Sequence, residues 1–454
     1  MTVLRPDRAA QDSAPSGGPP PVPESVEDTG LSAEFLMDLL LRTLYVQGAR
    51  TGVALAETLC LPFTLLDDFL LTLQTRRLLE LRGTTGHGRS AYVFDLTNQG
   101  RSRARESMQT VAYVGPAPVP LVQYRAWCER QSIRNAQVTR ETVKNGLSWL
   151  VLDPGMLDLL GPAVNSAKSV FLHGESGNGK TAIAETMARM VGGAMYLPYA
   201  VEVGGEVLIL FDPVHHLPIG REQETESGRS FLRALSDHDR RYVHVERPVV
   251  LVGGELSLEQ LDLQYDRQAK VYQAPFQMKA NGGVLIVDDF GRQRVPPRDL
   301  LNRWIVPLER RVDYLTLHTG VKFPVPFECL IVFATNIAPD HLVEEAFLRR
   351  IHYKIRVNSP SRPQYEEIFR RVCDERGLVY GPAAPAQIFR DYYERLGIDP
   401  RGCHPRDIIE HLLDIASYRN QPRKLTHDLL EAACASYFLE LTTDHPKAQP
   451  GGRV

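Results

Sequence analysis

Gly174-Glu175-Ser176-Gly177-Asn178-Gly179-Lys180-Thr181 constrains what this chain can fold into more than any other stretch. The spacing is Gly-x-x-x-x-Gly-Lys-Thr, and its flanks are the ones the pattern needs. Ser169-Val170-Phe171-Leu172-His173 reads as a short apolar strand leading into it. From Thr181 to Val191 the residues Ile183, Met187 and Met190 share one helical face, and Gly192-Gly193 ends the run. Glycines let backbone N–H groups approach phosphate oxygens with no Cβ in the way, and the new helix points its positive end at the same anion. Lys180 is placed for the β- and γ-phosphates, and the Thr181 hydroxyl for Mg²⁺. All eight residues are therefore candidate contacts to a nucleoside triphosphate.

A second segment supplies what such a loop lacks. In Gly282-Gly283-Val284-Leu285-Ile286-Val287-Asp288-Asp289 four apolar residues in a row predict a strand buried on both faces of a parallel sheet. A carboxylate at its carboxyl end emerges where ligands of open α/β sheets bind. Asp288 is the candidate Mg²⁺-linked carboxylate, and Asp289 the candidate that polarises the attacking water.

Taken in order, these and four further segments resemble the AAA+ ATPases over about residues 140–440. Cys329-Leu-Ile-Val-Phe-Ala-Thr-Asn336 looks like the family's next core strand, ending in its sensor-1 residue, which makes Asn336 catalytic. Glu344-Glu-Ala-Phe-Leu-Arg-Arg-Ile351 looks like the segment of the arginine finger, with Arg349 or Arg350 reaching a neighbouring subunit's γ-phosphate. His404-Pro-Arg-Asp-Ile-Ile409 is similar to the start of the sensor-2 helix, which gives Arg406 the lid role. The run Asp313-Tyr-Leu-Thr-Leu-His-Thr-Gly320 with Val321 to Pro326 looks like the hairpin of the MoxR and magnesium-chelatase side of the family. The hairpin itself is expected over Tyr314–Phe323, turning near Thr319-Gly320.

The resemblance implies a P-loop NTPase α/β parallel-sheet core with a C-terminal all-helical lid. It implies ATP and Mg²⁺ as cofactors, an ATP hydrolase, and a homo-oligomeric, hexameric ring that remodels or assembles a protein client. One residue departs from the pattern. Most of the family has Glu where this chain has Asp289, and the shorter side chain sets its carboxylate about 1.5 Å back. A displacement of that order can cost about a hundredfold in rate, so a slow nucleotide-gated switch stays open beside the motor.

Composition sets the outer bounds. The 454 residues allow two or three domains, and 43% hydrophobic with 24% charged content is ordinary for a globular protein. A net charge of −3 gives no global attraction to nucleic acid or anionic lipid. The six Cys are scattered without a Cys-x-x-Cys pair, and several fall in apolar segments, as buried thiols of a reducing cytosol do. His215-His216 has no ligand-spaced companions for zinc. The first residues lack a signal peptide's apolar run, and no window is long and apolar enough to span a membrane, which points to the cytoplasm.

Along the chain, Pro-, Ser- and Gly-rich residues 1–30 read as a disordered leader and 442–454 as a disordered tail. Residues 31–110 read as a small α+β domain. Helices are expected at Ala33–Gln47, Val53–Leu59 and Pro62–Thr75, strands at Leu78–Arg82 and Ala91–Leu96, and a closing helix from Thr97. That order resembles a winged-helix domain. Such domains often bind DNA through their third helix, but here residues 62–75 hold Asp67 and Asp68 and no Lys or Arg. Residues 31–110 carry nine Lys/Arg and eight Asp/Glu, a net of +1, so protein contact is favoured over a DNA-acting loader, motor or regulator. Residues 111–139 supply a Pro-rich linker (Val114–Pro120) and a helix; 140–361 form the ATPase core, and 362–441 the lid. The core's long span from Lys180 to Asp288 predicts a hairpin around Gly204-Gly205 and a strand at Val249–Val252, with Tyr196, Tyr199 and Tyr265 as candidate client grips.

Overall fold

The structure is a computed structural model that describes residues 18–219, 238–338 and 348–443, the last five of these by backbone alone. At its centre stands an all-parallel sheet of five strands. Val170–His173 pairs with Leu330–Thr335 on one side and Tyr353–Arg356 on the other. Val284–Val287 lies beyond Leu330–Thr335, and Val249–Val252 forms the far edge. Alternation along these apolar strands fills two cores at once. Val170, Leu172, Ile286 and Val332 face Leu160 and Val164 of the helix Pro154–Ser166 and Ile183 and Met187 of the helix Lys180–Val191. Phe171, Leu285, Val287 and Phe333 face Leu300, Leu301 and Trp304 of the helix Pro297–Arg310. Helices thus cover both faces, and the phosphate-loop pattern sits between the central strand and the first of these helices. This is the α/β core of a P-loop NTPase.

The carboxyl ends of three strands meet at one level because of register. Thr335 pairs with His173, and Val287 pairs with Phe333. The residues that follow, Gly174, Asp288 and Asn336, are therefore delivered to the same edge.

Before the core, helices Ala33–Gln47, Gly52–Leu59, Phe63–Thr75 and Asn98–Thr110 surround a three-stranded sheet in the order Arg50–Thr51, Tyr92–Leu96, Leu79–Thr84. Ser32, Thr51 and Thr97 each accept a backbone N–H three residues on, which fixes where three of these helices start. Leu36, Leu40, Leu66, Leu70 and Phe94 form the shared interior, which continues into Ala200, Val207 and Val271 of a second five-stranded sheet. That sheet contains the hairpin Ala200–Val203 and Glu206–Ile209, turning at Gly204-Gly205, together with Val271–Gln273, Gln264–Asp266 and Val119–Pro120. A separate hairpin pairs Val312–Thr316 with Lys322–Pro326.

Two segments differ from what the composition suggested. Residues 18–30, expected as part of a disordered leader, are docked: the Pro20 carbonyl accepts the Asp239 N–H at 2.8 Å, and the Thr29 carbonyl accepts from the buried Arg241 guanidinium at 2.9 Å. Arg241 is itself paired with buried Asp239 at 2.8 Å, so a charged cluster, invisible to hydropathy, holds the polar segment. The Pro-rich linker ends as an edge strand, with Val119 opposite Val201, a position where proline's missing N–H costs no ladder bond. Residues 1–17 of the leader and 444–454 of the tail lie outside the described residues.

The C-terminal part is helical: Arg362–Glu375, Ala383–Ile388 continuing through a π-helical stretch at Phe389–Glu394, His404–Tyr418 and His427–Thr443. Tyr365, Phe369, Tyr393, Ile408, Leu412 and Phe438 pack as its own core. No helix among the described residues is long and apolar enough to cross a membrane.

Candidate functional site

Val170–His173 ends at Gly174, where the chain turns under severe steric limits. Gly174 has φ 145°, and a Cβ there would lie 2.2 Å from the Val357 carbonyl oxygen. The loop then enters the helix Lys180–Val191, whose N-cap, Gly179, offers no side-chain bond to the first helical N–H groups. Those donors and the helix dipole are left for an anion. Lys180 is almost buried, and its ammonium donates to the carbonyls of Gly174 and Glu175, both at 2.9 Å. Burial lowers its pKa; the charges of Asp288, Asp289 and Glu175 oppose that shift, and Arg401 adds to it. The lysine is thus folded back along the loop, within the electrostatic reach of Asp288 and Asp289.

Val284–Val287 is fully buried and carries Asp288 and Asp289 to the same edge. The Thr181 hydroxyl donates to Asp288 Oδ2 at 2.9 Å, and the Asp289 N–H donates to Asp288 Oδ1 at 3.0 Å. One carboxylate therefore joins the phosphate loop to the acidic turn. Asp289 is exposed and has a left-handed backbone, φ 46°, which non-glycine residues rarely adopt. Asn336 follows Leu330–Thr335, and its Oδ1 is buried with no hydrogen-bond partner among the described residues. An orphaned buried acceptor is costly, and at this edge no donor among the described residues satisfies it.

The lid meets the loop through residues the sequence did not single out. The Cys403 N–H donates to the Gly177 carbonyl at 2.8 Å, and the Gly402 N–H to Asn178 Oδ1 at 3.0 Å. Arg401 Nη2 lies 3.7 Å from Glu175 Oε2. Arg406, expected as the lid cation, is exposed on the helix His404–Tyr418 and makes no hydrogen bond or ion pair among the described residues. The motif marked the helix start, but the contact is made by the loop before it. A Gly-flanked Arg in a loop carries no periodic signal, so only docking shows its place.

Arg349 and Arg350 lie elsewhere. The Arg350 carbonyl accepts from Ser169 Oγ at 3.1 Å, at the amino end of the central strand. Arg350 also pairs with Glu309 at 2.5 Å, and Arg349 is exposed. Both belong to the sheet edge opposite the phosphate loop of their own chain. Residues 344–347 of that segment lie outside the described residues. Tyr196, Tyr199 and Tyr265 are engaged in packing, against His244, Phe211 and His318 at ring distances of 4.8, 5.3 and 4.3 Å. His216 is bonded through both ring nitrogens, to the Asp212 N–H and the Lys279 carbonyl, and no metal-holding cluster occurs among the described residues.

A family profile described as a domain of unknown function, DUF8689, matches residues 361–436. No curated protein matches the sequence. Among solved structures, NtrX from Brucella abortus in complex with ADP is 16% identical, with a TM-score of 0.36 over 64% of this chain and 56% of that one. A second NtrX structure gives 16%, 0.37, 65% and 58%. The Thermotoga maritima RuvB Holliday junction branch migration motor is 13% identical, with a TM-score of 0.33 over 67% of this chain and 72% of that one. The chain thus spans little more than half the length of the NtrX chains it matches.

Proposed function

We propose that this chain is a Mg²⁺-dependent ATPase of the AAA+ class, on its MoxR-like side, acting in the cytoplasm on a protein partner. The observation that carries the reading is the Thr181–Asp288 contact at 2.9 Å, which closes the phosphate loop against the acidic strand. The residues fit a triphosphate and its cation. The helix N-terminus has no side-chain cap, and among the described residues Lys180 makes no ion pair and the Asn336 acceptor has no partner. Bound Mg²⁺ would neutralise phosphate charge between Thr181 and Asp288. Lys180, released from the loop carbonyls, would bind the β- and γ-phosphates. Asp289 would accept a proton from the attacking water, which Asn336 would help orient.

In one chain Arg349 and Arg350 sit on the wrong edge to reach that phosphate, so their use requires a second copy, and a closed ring such as a hexamer supplies one to every site. Arg401 joins Arg406 as a lid cation, and its position against Glu175 makes it the one we favour.

A protein partner is favoured over DNA by charge. In the winged-helix-like domain Arg89 pairs with Asp67 of the third helix at 2.8 Å. Arg82 and Arg101 both pair with buried Asp95, and Arg103 with Glu34 and Asp38. Phosphate binding would have to displace these carboxylates. The experiment is an ATP hydrolysis assay with and without a chelator. Phosphate release that stops with EDTA and returns with added Mg²⁺ is expected; release indifferent to EDTA contradicts the assignment of Thr181 and Asp288.

A further inference from the structure

Gln293 closes the acidic turn on itself. Its Nε2 donates to the Asp288 carbonyl at 2.8 Å and to the Asp289 carbonyl at 3.2 Å, while its Oε1 accepts the Gly291 N–H at 2.8 Å. Both donors and the acceptor of the amide are therefore committed to backbone groups of Asp288, Asp289 and Gly291. Beneath the turn, Phe290 is buried against Phe171 and Phe333, its N–H donates to the Ala334 carbonyl at 2.7 Å, and its carbonyl accepts from Thr335 Oγ1 at 2.6 Å. Asp289 rides on this anchored turn in its left-handed conformation. A side chain one methylene shorter than Glu can be presented forward only by its backbone, and a left-handed residue persists only where its surroundings over-determine it. Gln293 is one of the groups that hold it, beside Asp288 Oδ1, which accepts the Asp289 N–H at 3.0 Å, and the Arg292 N–H, which donates to the Asp289 carbonyl at 2.9 Å.

We propose that Gln293 is a positioning residue for hydrolysis, fixing the Asp289 carboxylate relative to the Asn336 edge without touching nucleotide itself. The proposal rests on the ATPase reading. It is tested by turnover and nucleotide affinity for wild type, Gln293→Ala, Gln293→Glu and Lys180→Ala. Gln293→Ala is expected to lower kcat about 10- to 100-fold while nucleotide affinity stays within about twofold. Glu at 293 keeps the acceptor but donates only when protonated, so the rate of Gln293→Glu relative to wild type should rise as pH falls from about 8 to about 6. That pH response also covers the case in which Gln293→Ala folds poorly. An active wild type with unimpaired Gln293 variants, or with affinity and kcat falling together, overturns this assignment alone. A wild type no faster than Lys180→Ala overturns the ATPase reading, and this inference with it.

Discussion

At the scale of single residues, Asp289 carries the most information. It is exposed, and its φ of 46° is a left-handed backbone at the edge where Asp288 and Asn336 converge. Asn tolerates the same backbone region, so Asp289→Asn removes the proposed proton acceptor while leaving the turn in place. Turnover should fall about a hundredfold or more with ATP binding retained, measured by phosphate release beside a fluorescent-nucleotide titration. Unchanged turnover would show that another group handles the water. The strand, glycine loop and helix around 170–191 and the buried strand ending at Asp288 were legible as structure because backbone geometry dictates residue type: only glycine survives 2.2 Å from the Val357 carbonyl. Arg401 and Gln293 were not: Arg401 meets Glu175 only across a tertiary contact, and Gln293 folds back on its own turn with no periodic pattern to mark it.

At the scale of elements, the junction between lid and loop is built from backbone. Cys403 donates to Gly177, and a Cβ on Gly177 would sit 2.5 Å from Cys403 Sγ, at a φ of 84°. Gly177→Ala therefore meets both a clash and a left-handed backbone penalty of roughly 1–2 kcal/mol. Nucleotide affinity should drop about tenfold if that cost falls on the bound state, as read by the same titration; wild-type affinity would show that the lid does not seat on the loop. Helices with strong faces, such as Ala33–Gln47, and the Gly204-Gly205 hairpin were legible from period and turn residues. The docked stretch 18–30 and the edge strand Val119–Pro120 were not. Proline-rich composition describes a chain without partners, whereas Arg241 and a sheet edge supply them here.

At the scale of the whole molecule, two buried histidines couple stability to pH. Burial pushes His216 and His404 down to about 4, and in each the ring is hydrogen-bonded in its neutral form. Unfolded histidine titrates near 6.5, so between pH 6.5 and 4 the unfolded chain binds more protons, and stability is lost as pH falls. Each contributes about 2 kcal/mol of that loss at pH 5. The melting temperature should fall through this window, and His404→Gln should flatten the fall; a melting temperature constant from pH 6.5 to 4.5 contradicts it. His404 adjoins Arg401, whose backbone N–H donates to its Nδ1 at 3.3 Å, a bond that protonation of that nitrogen would remove. Loop, acidic turn, asparagine and lid converge at one edge of one sheet. The most direct measurement is steady-state ATP hydrolysis by wild type against Lys180→Ala. The account predicts clear turnover in wild type and none above background in the variant; equal rates in the two would contradict it.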